Sequence, residues 1–147
     1  MSTTTTIDAA PAYAKPLPAI HDGNRPYFEA GREGKLKLQQ CDHCTNLWYP
    51  YAQHCPRCLS TEYHWQALSG RARLWSWTVM HQLYIKSFKD DLPYVVAFVE
   101  LEEGPEMIST VIGVDRAELR CDQPLEVTFR QVKDDVWLPM FRPATAA

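Results

Sequence analysis

The chain has 147 residues, room for one ordinary domain or for a small metal module joined to a slightly larger one. With 46% hydrophobic and 22% charged residues its composition is globular, which excludes a disordered or fibrous chain, and no apolar stretch approaches the roughly 20 residues that a spanning helix requires. The net charge of −3 hides an asymmetry: residues 1–89 carry ten Lys or Arg against six Asp or Glu, a net of +4, whereas residues 90–135 carry four against twelve, a net of −8.

Met1 to Ala10 reads Met-Ser-Thr-Thr-Thr-Thr-Ile-Asp-Ala-Ala, without the basic region and apolar run of a signal peptide, so a cytoplasmic protein with no membrane association is expected. Residues 1–23 are rich in Thr, Ala and Pro; Pro11, Pro16 and Pro18 prevent a continuous helix and predict an extended arm. Tyr13, Leu17 and Ile20 are apolar beads along it and candidates for docking onto a partner. Residues 24–34 are expected to form a short helix, with Asn24 as its cap, Pro26 in the first turn where amides are unpaired anyway, and Gly31 and Gly34 at its end. Lys35 to Gln40 alternates charged and apolar residues and predicts a strand leading into Cys41.

Two Cys-x-x-Cys pairs follow, Cys41-Asp-His-Cys44 and Cys55-Pro-Arg-Cys58, ten residues apart. Each two-residue gap folds into a tight turn that aims both sulfurs at one point, and four thiolates complete a tetrahedral zinc site with no position left for water. The metal is therefore read as structural, in a ribbon over residues 35–66 that owes part of its folding free energy to it. Rubredoxin-type iron has the same ligand set. Two disulfides or a redox dithiol are disfavoured, because nothing marks the chain as secreted and a thioredoxin-type site needs only one such pair. His43 and His54 are read as spectators, and the fifth cysteine, Cys121, as a packed small residue. Between the pairs stand Trp48, Tyr49 and Tyr51, three large aromatics on a loop that the metal already orders, candidates for a partner interface, with packing of Trp48 against the next domain as the equal alternative.

From Gly70 onward the periodicity becomes two. Leu74–His81, Tyr94–Glu102, Glu106–Val114, Pro124–Val132 and Val136–Phe141 predict five strands, and the Asp115–Glu118 break is long enough for one helical turn. Five antiparallel strands with a short helix after the third suggest a partly open barrel of the OB type over residues 67–143, with a five-stranded sandwich as the alternative and residues 144–147 as a tail. The fold class is thus mainly β: a rubredoxin-like zinc ribbon, then a five-stranded OB-fold barrel, with a short N-terminal helix. His81 and Tyr84 follow the first barrel strand, but no carboxylate or nucleophile stands at a recognisable spacing beside them, and no phosphate loop or nucleophile elbow is present. An independent enzyme is the weaker reading, and the isolated chain is expected to have no turnover.

Several stretches together carry a resemblance. The short helix and four-cysteine ribbon lead through Leu68-Ser69-Gly70-Arg71-Ala72 into Trp77-Thr78-Val79-Met80-His81. Pro93-Tyr94-Val95-Val96-Ala97, Val99-Glu100-Leu101-Glu102-Glu103-Gly104 and Leu138-Pro139-Met140-Phe141-Arg142-Pro143 follow. This series resembles the acyl-CoA-associated zinc-ribbon and OB-fold family known as domain of unknown function thirty-five, over about residues 24–143. Thr45 and Leu59 stand where such knuckles often carry glycine, and Cys121 where a glycine is frequent in a Leu-x-Gly turn. The resemblance implies a non-catalytic accessory subunit of a thiolase-like enzyme, of thiolase, aldolase or acyl-CoA synthase type, that helps hold a coenzyme A thioester. A hetero-oligomer of two plus two subunits is the implied assembly. Arg25, Arg71, Arg73 and His81 are the candidate acyl-CoA contacts, with Arg32, Lys35 and Lys37 as further cations. The rival for a ribbon joined to an OB barrel is nucleic-acid binding; it draws affinity from cations that neutralise phosphates, and the net charge of −8 over residues 90–135 of the barrel region argues against it.

Overall fold

A computed structural model describes residues 13–145. After an irregular arm, helix α1 (Arg25–Glu29) runs into a 3₁₀ turn at Ala30–Glu33. Strands β1 (Lys37–Cys41), β2 (Leu47–Trp48) and β3 (Tyr63–Ala67) form an antiparallel sheet in the order β2-β1-β3, which is the ribbon. Strands β4 (Arg71–Met80), β5 (Tyr94–Leu101), β6 (Glu106–Ser109), β7 (Pro124–Lys133) and β8 (Val136–Pro143) form the second sheet, ordered β6-β5-β4-β7-β8. Its ends meet where the segment after β6 pairs in parallel with β8: Ile112 N–H donates to Phe141 O at 2.8 Å, and Phe141 N–H to Thr110 O at 3.0 Å. That closure makes a barrel rather than the alternative sandwich. A 3₁₀ turn at Arg116–Glu118, with the Asp115 carboxylate accepting from Ala117 N–H, follows the third barrel strand as expected.

Alternation along β5 is strict: Val95, Ala97, Val99 and Leu101 are buried, while Tyr94, Val96, Phe98 and Glu100 are not. With Leu74, Met107, Val111, Leu119, Leu125 and Phe141 the inward set forms one core. Leu36 and Leu38, at the start of the ribbon, are part of that same core, each 1% exposed. Strand β1 therefore has two jobs. Leu38, with Leu36 just before the strand, anchors in the barrel, and Gln39 and Cys41 face the ribbon, where the Gln39 amide brackets Ala52 by donating to its carbonyl at 2.8 Å and accepting from its N–H at 3.0 Å. At Gly70 (φ +79°) the chain turns from ribbon into barrel, and a side chain there would meet Val127 Cγ1 at 2.6 Å.

Three expectations are corrected. Asn24 precedes α1 but does not cap it: its side chain turns back, accepting from His21 N–H and donating to Ala19 O, both at 2.9 Å. Cys121 is exposed, and the left-handed residue of its turn is Asp122 (φ 62°), one position later. In β4 a bulge between Leu74 and Ser76 breaks the alternation and turns Trp75 to the surface, 51% exposed.

Helix α1 and its 3₁₀ extension pack on β7 and β8. Gly31 lies against Trp137, and a Cβ at this position would collide with the Trp137 Cβ and come within 2.8 Å of Phe129 Cδ1. Neither atom belongs to a flexible chain end, so Gly31→Ala is expected to cost about 1–3 kcal/mol as overpacking, read as a fall of several degrees in Tm with the β-rich circular dichroism retained.

Candidate metal centre and barrel groove

Cys41, Cys44, Cys55 and Cys58 converge at the open end of the ribbon, with all four sulfurs within 4.8 Å of one another. The two knuckles are built alike. Thr45 N–H donates to Cys41 O at 3.0 Å and Leu59 N–H to Cys55 O at 2.9 Å, while Cys41 N–H reaches Asn46 O at 2.9 Å and Cys55 N–H reaches Ser60 O at 2.8 Å. This turn needs a left-handed residue after the second cysteine, and Thr45 (φ 62°) and Leu59 (φ 65°) adopt it without being glycine. Backbone N–H groups point at the sulfurs: those of His43 and Cys44 at Cys41 Sγ and that of Arg57 at Cys55 Sγ, each at 3.4 Å.

These donors shape the charge. The N–H of Cys44 is the chief cause that lowers Cys41 below the ordinary thiol range. Burial opposes ionisation of Cys55, yet the N–H groups of Cys58 and Arg57 and the adjacent thiols bring it down to about 6. Cys58 goes the other way: the Ser60 N–H lowers it, but burial and its three neighbouring thiols outweigh this and push it up to about 12. Four anionic sulfurs at this separation repel one another unless a cation sits among them. The Cys41–Cys58 and Cys44–Cys55 sulfur distances of 3.5 and 3.6 Å are close to the roughly 3.8 Å edge of a tetrahedron with 2.3 Å metal–sulfur bonds, so the donor set fits a tetrahedral zinc. His43 and His54 lie outside it and are exposed.

The other residues singled out from the sequence do not gather at one place. Arg71 is paired with Glu102 at 2.8 Å, Arg73 with Glu100 at 3.0 Å and with Asp122, and Arg25 lies within 4 Å of Asp22 and Glu29. His81 is exposed after β4. Among the aromatics, Trp48 is only 6% exposed and packs with Cys41, Cys55 and Tyr63, which corrects its reading as free docking area. Tyr49 leans on Tyr27 of α1 (5.8 Å between centroids), and Tyr51, stacked on Trp65 of the ribbon (6.4 Å, 13° between planes), meets His21 edge-on (5.2 Å), so the two tyrosines join α1 and the arm to the ribbon. Leu17 is exposed and Ile20 half-buried, while Tyr13 lies over the barrel.

Beside Tyr13 is a groove of about 920 Å³, within the usual range for small-molecule sites. Its walls are the outer residues Tyr94 and Val96 of β5, Ile108 and Ile112 at β6, and Met140 and Phe129 on the opposite hairpin. Lys15, Arg116 and Arg130 stand among the lining residues, and among the described residues Arg116 and Arg130 make no ion pair. Sequence reasoning missed this groove, since its residues come from the arm, the β4–β5 connection and four strands or their flanks. It weighed Tyr84 only beside His81 and passed over the apolar triplet Leu83-Tyr84-Ile85 in the β4–β5 connection, which is 41%, 71% and 47% exposed; an apolar run inside a loop was the available signal.

Two family descriptions match the chain: a rubredoxin-like zinc ribbon domain of ChsH2 over residues 28–64 and a C-terminal OB-fold domain of ChsH2 over residues 65–130. A "Probable enoyl-CoA hydratase alpha subunit" of Thermomonospora curvata is 31% identical over 134 residues, which is 91% of this chain and 41% of that protein, so the chain spans less than half of this relative. The benzoylsuccinyl-CoA thiolase subunit BbsA of Thauera aromatica is 29% identical over 81% of this chain and 74% of its own length. Among solved structures, a chain of an Ltp2-ChsH2(DUF35) aldolase superposes with TM-score 0.77 at 31% identity, covering 88% of this chain and 100% of that one. No helix of the described residues is long and apolar enough to cross a membrane.

Burial of Trp48 beside two of the cysteines gives a direct expectation. Trp48→Ala should destabilise the ribbon by about 3–5 kcal/mol, the range for a buried aromatic, measured as an early unfolding transition by near-ultraviolet circular dichroism.

Proposed function

The chain belongs to the ChsH2 family of joined zinc-ribbon and OB-fold domains, and from that membership we propose that it is an accessory subunit that docks on a thiolase-fold enzyme and helps position the enzyme's acyl-CoA substrate. The observation that carries this reading is the likeness to the whole DUF35 chain of the Ltp2-ChsH2 aldolase, joined by the likeness to a thiolase subunit.

The geometry supports a role in holding rather than reacting. The barrel groove offers apolar walls for an acyl chain, and Arg116 and Arg130 are the cations at hand for the phosphates of coenzyme A. This moves the acyl-CoA contact away from Arg71 and Arg73, whose guanidinium groups are occupied by glutamates. Holding the thioester where a partner's reacting groups act lowers the entropic part of that enzyme's barrier without adding a reacting group. Cys41, Cys44, Cys55 and Cys58 hold one zinc ion in this reading, and with four ligands in place the ion contributes folding free energy and no open position for chemistry. The assembly is two copies of this chain with two of the partner, in the cytoplasm. Nucleic-acid binding is the weaker reading: the barrel's own acidic residues are paired with Arg71, Arg73 and Arg142, which leaves few cations to track a phosphate backbone.

Elemental analysis of the purified chain should find about one zinc per chain, and Cys55→Ser should lose both the zinc and the ribbon fold; iron, or a folded ribbon without metal, would contradict the assignment. Reconstitution tests the function itself. Adding the chain to its thiolase-fold partner should lower the partner's KM for acyl-CoA by roughly tenfold or more, while the chain alone has no turnover; a partner with unchanged kinetics would contradict the proposal.

A further inference from the structure

The arm crosses the groove as a stiff element with little holding it. Pro16 and Pro18 fix their own backbone and force Lys15 and Leu17 toward extended conformations, so the segment spans without internal hydrogen bonds. Among the described residues no backbone hydrogen bond ties residues 13–18 to the barrel. Side chains do the holding instead. Lys15 Nζ lies 2.5 Å from Asp91 Oδ2 and 5.5 Å above the Phe88 ring, its side chain only 16% exposed, and the Arg130 guanidinium lies 5.5 Å from the centre of the Tyr13 ring. Phe88 in turn leans on Tyr94 of β5, with centroids 5.5 Å apart.

All these residues, Tyr13, Lys15, Phe88, Asp91, Tyr94 and Arg130, also line the groove. Tyr94 and Arg130 stand on strands held by hydrogen-bonded ladders, whereas Tyr13 and Lys15 come from the arm, which among the described residues no ladder holds. Lifting it breaks one ion pair and a few cation–ring contacts while leaving every ladder and the core intact, which puts its opening at the low end of the local stabilities within a fold.

We propose that residues 13–20 form a strap that gates the barrel groove, with Lys15 as its latch against Phe88 and Asp91; the ligand it gates, an acyl chain, rests on the reading of the groove given above. The strap closes over the apolar wall in the free chain and lifts to admit or release the chain of the thioester. Because an ion pair is part of the latch, raised salt loosens it.

The test measures access to the groove in the full-length, zinc-loaded chain. Cys121→Ser removes the exposed thiol, and Thr128→Cys places a reporter among the groove-lining residues; its rate of reaction with a neutral maleimide is followed by mass. Lys15→Ala should speed labelling by about tenfold, Lys15→Arg should restore it to within about twofold, and raised salt should speed the parent more than Lys15→Ala. Should Lys15→Ala perturb folding, Asp91→Asn breaks the same latch from the barrel side. Equal labelling rates in the parent and in either latch variant would overturn the proposal. Decanoyl-CoA supplies the separate arm: if it fails to slow labelling while the latch variants still accelerate it, the strap stands and the acyl reading of the groove falls.

Discussion

Four sulfurs drawn within 4.8 Å of one another set the condition on which the rest of the molecule depends. Backbone N–H groups aimed at Cys41 and Cys55 favour thiolates, and crowding pushes Cys58 the other way; a dication at the centre resolves the conflict. The small sheet formed by β1, β2 and β3 has a hydrophobic cluster of little more than Cys41, Trp48, Cys55 and their half-buried neighbours, too small to hold its loops by burial alone. Two non-glycine residues in the left-handed region, Thr45 and Leu59, show how strongly the knuckle geometry is imposed.

The metal module is not a separate bead. Leu36 and Leu38 enter the barrel core beside Leu74 and Phe141, and Tyr49 packs against that core from the loop between the cysteine pairs. Order at the cysteines is thereby transmitted to the barrel and, through Tyr51 and Trp65, to the segment that carries the arm into α1. A rigid ribbon that fixes the position of a barrel suits a subunit whose contribution is placement.

Much of the fold was legible because its signals are local. The cysteine spacing names its own geometry, and the alternation of β5 reads directly as one face in and one face out. Strand β3 was passed over although Tyr63-His-Trp-Gln-Ala alternates aromatic and polar residues: it is short and follows the second knuckle without a turn signal, and its pairing with β1 over five positions is a contact distant in sequence. The site was less legible, for a physical reason. Exposed aromatics and buried ones look alike in sequence, so Trp48 read as docking surface although it fills the ribbon, while Trp75 turned outward at a bulge. Cations are ambiguous in the same way: Arg71 and Arg73 lie opposite Glu102 and Glu100, and only the register between β4 and β5 reveals the pairing. The groove draws on the arm, the β4–β5 connection and four strands or their flanks, a convergence that no linear pattern encodes.

The central claim is that this chain works only when seated on a larger thiolase-fold protein. Native mass spectrometry of the chain co-expressed with that partner tests it most directly. The account predicts an assembly carrying two 16.9 kDa copies of this chain, each with its zinc, on two partner subunits. A spectrum in which the chain stays alone at 16.9 kDa beside a fully assembled and active partner would contradict it.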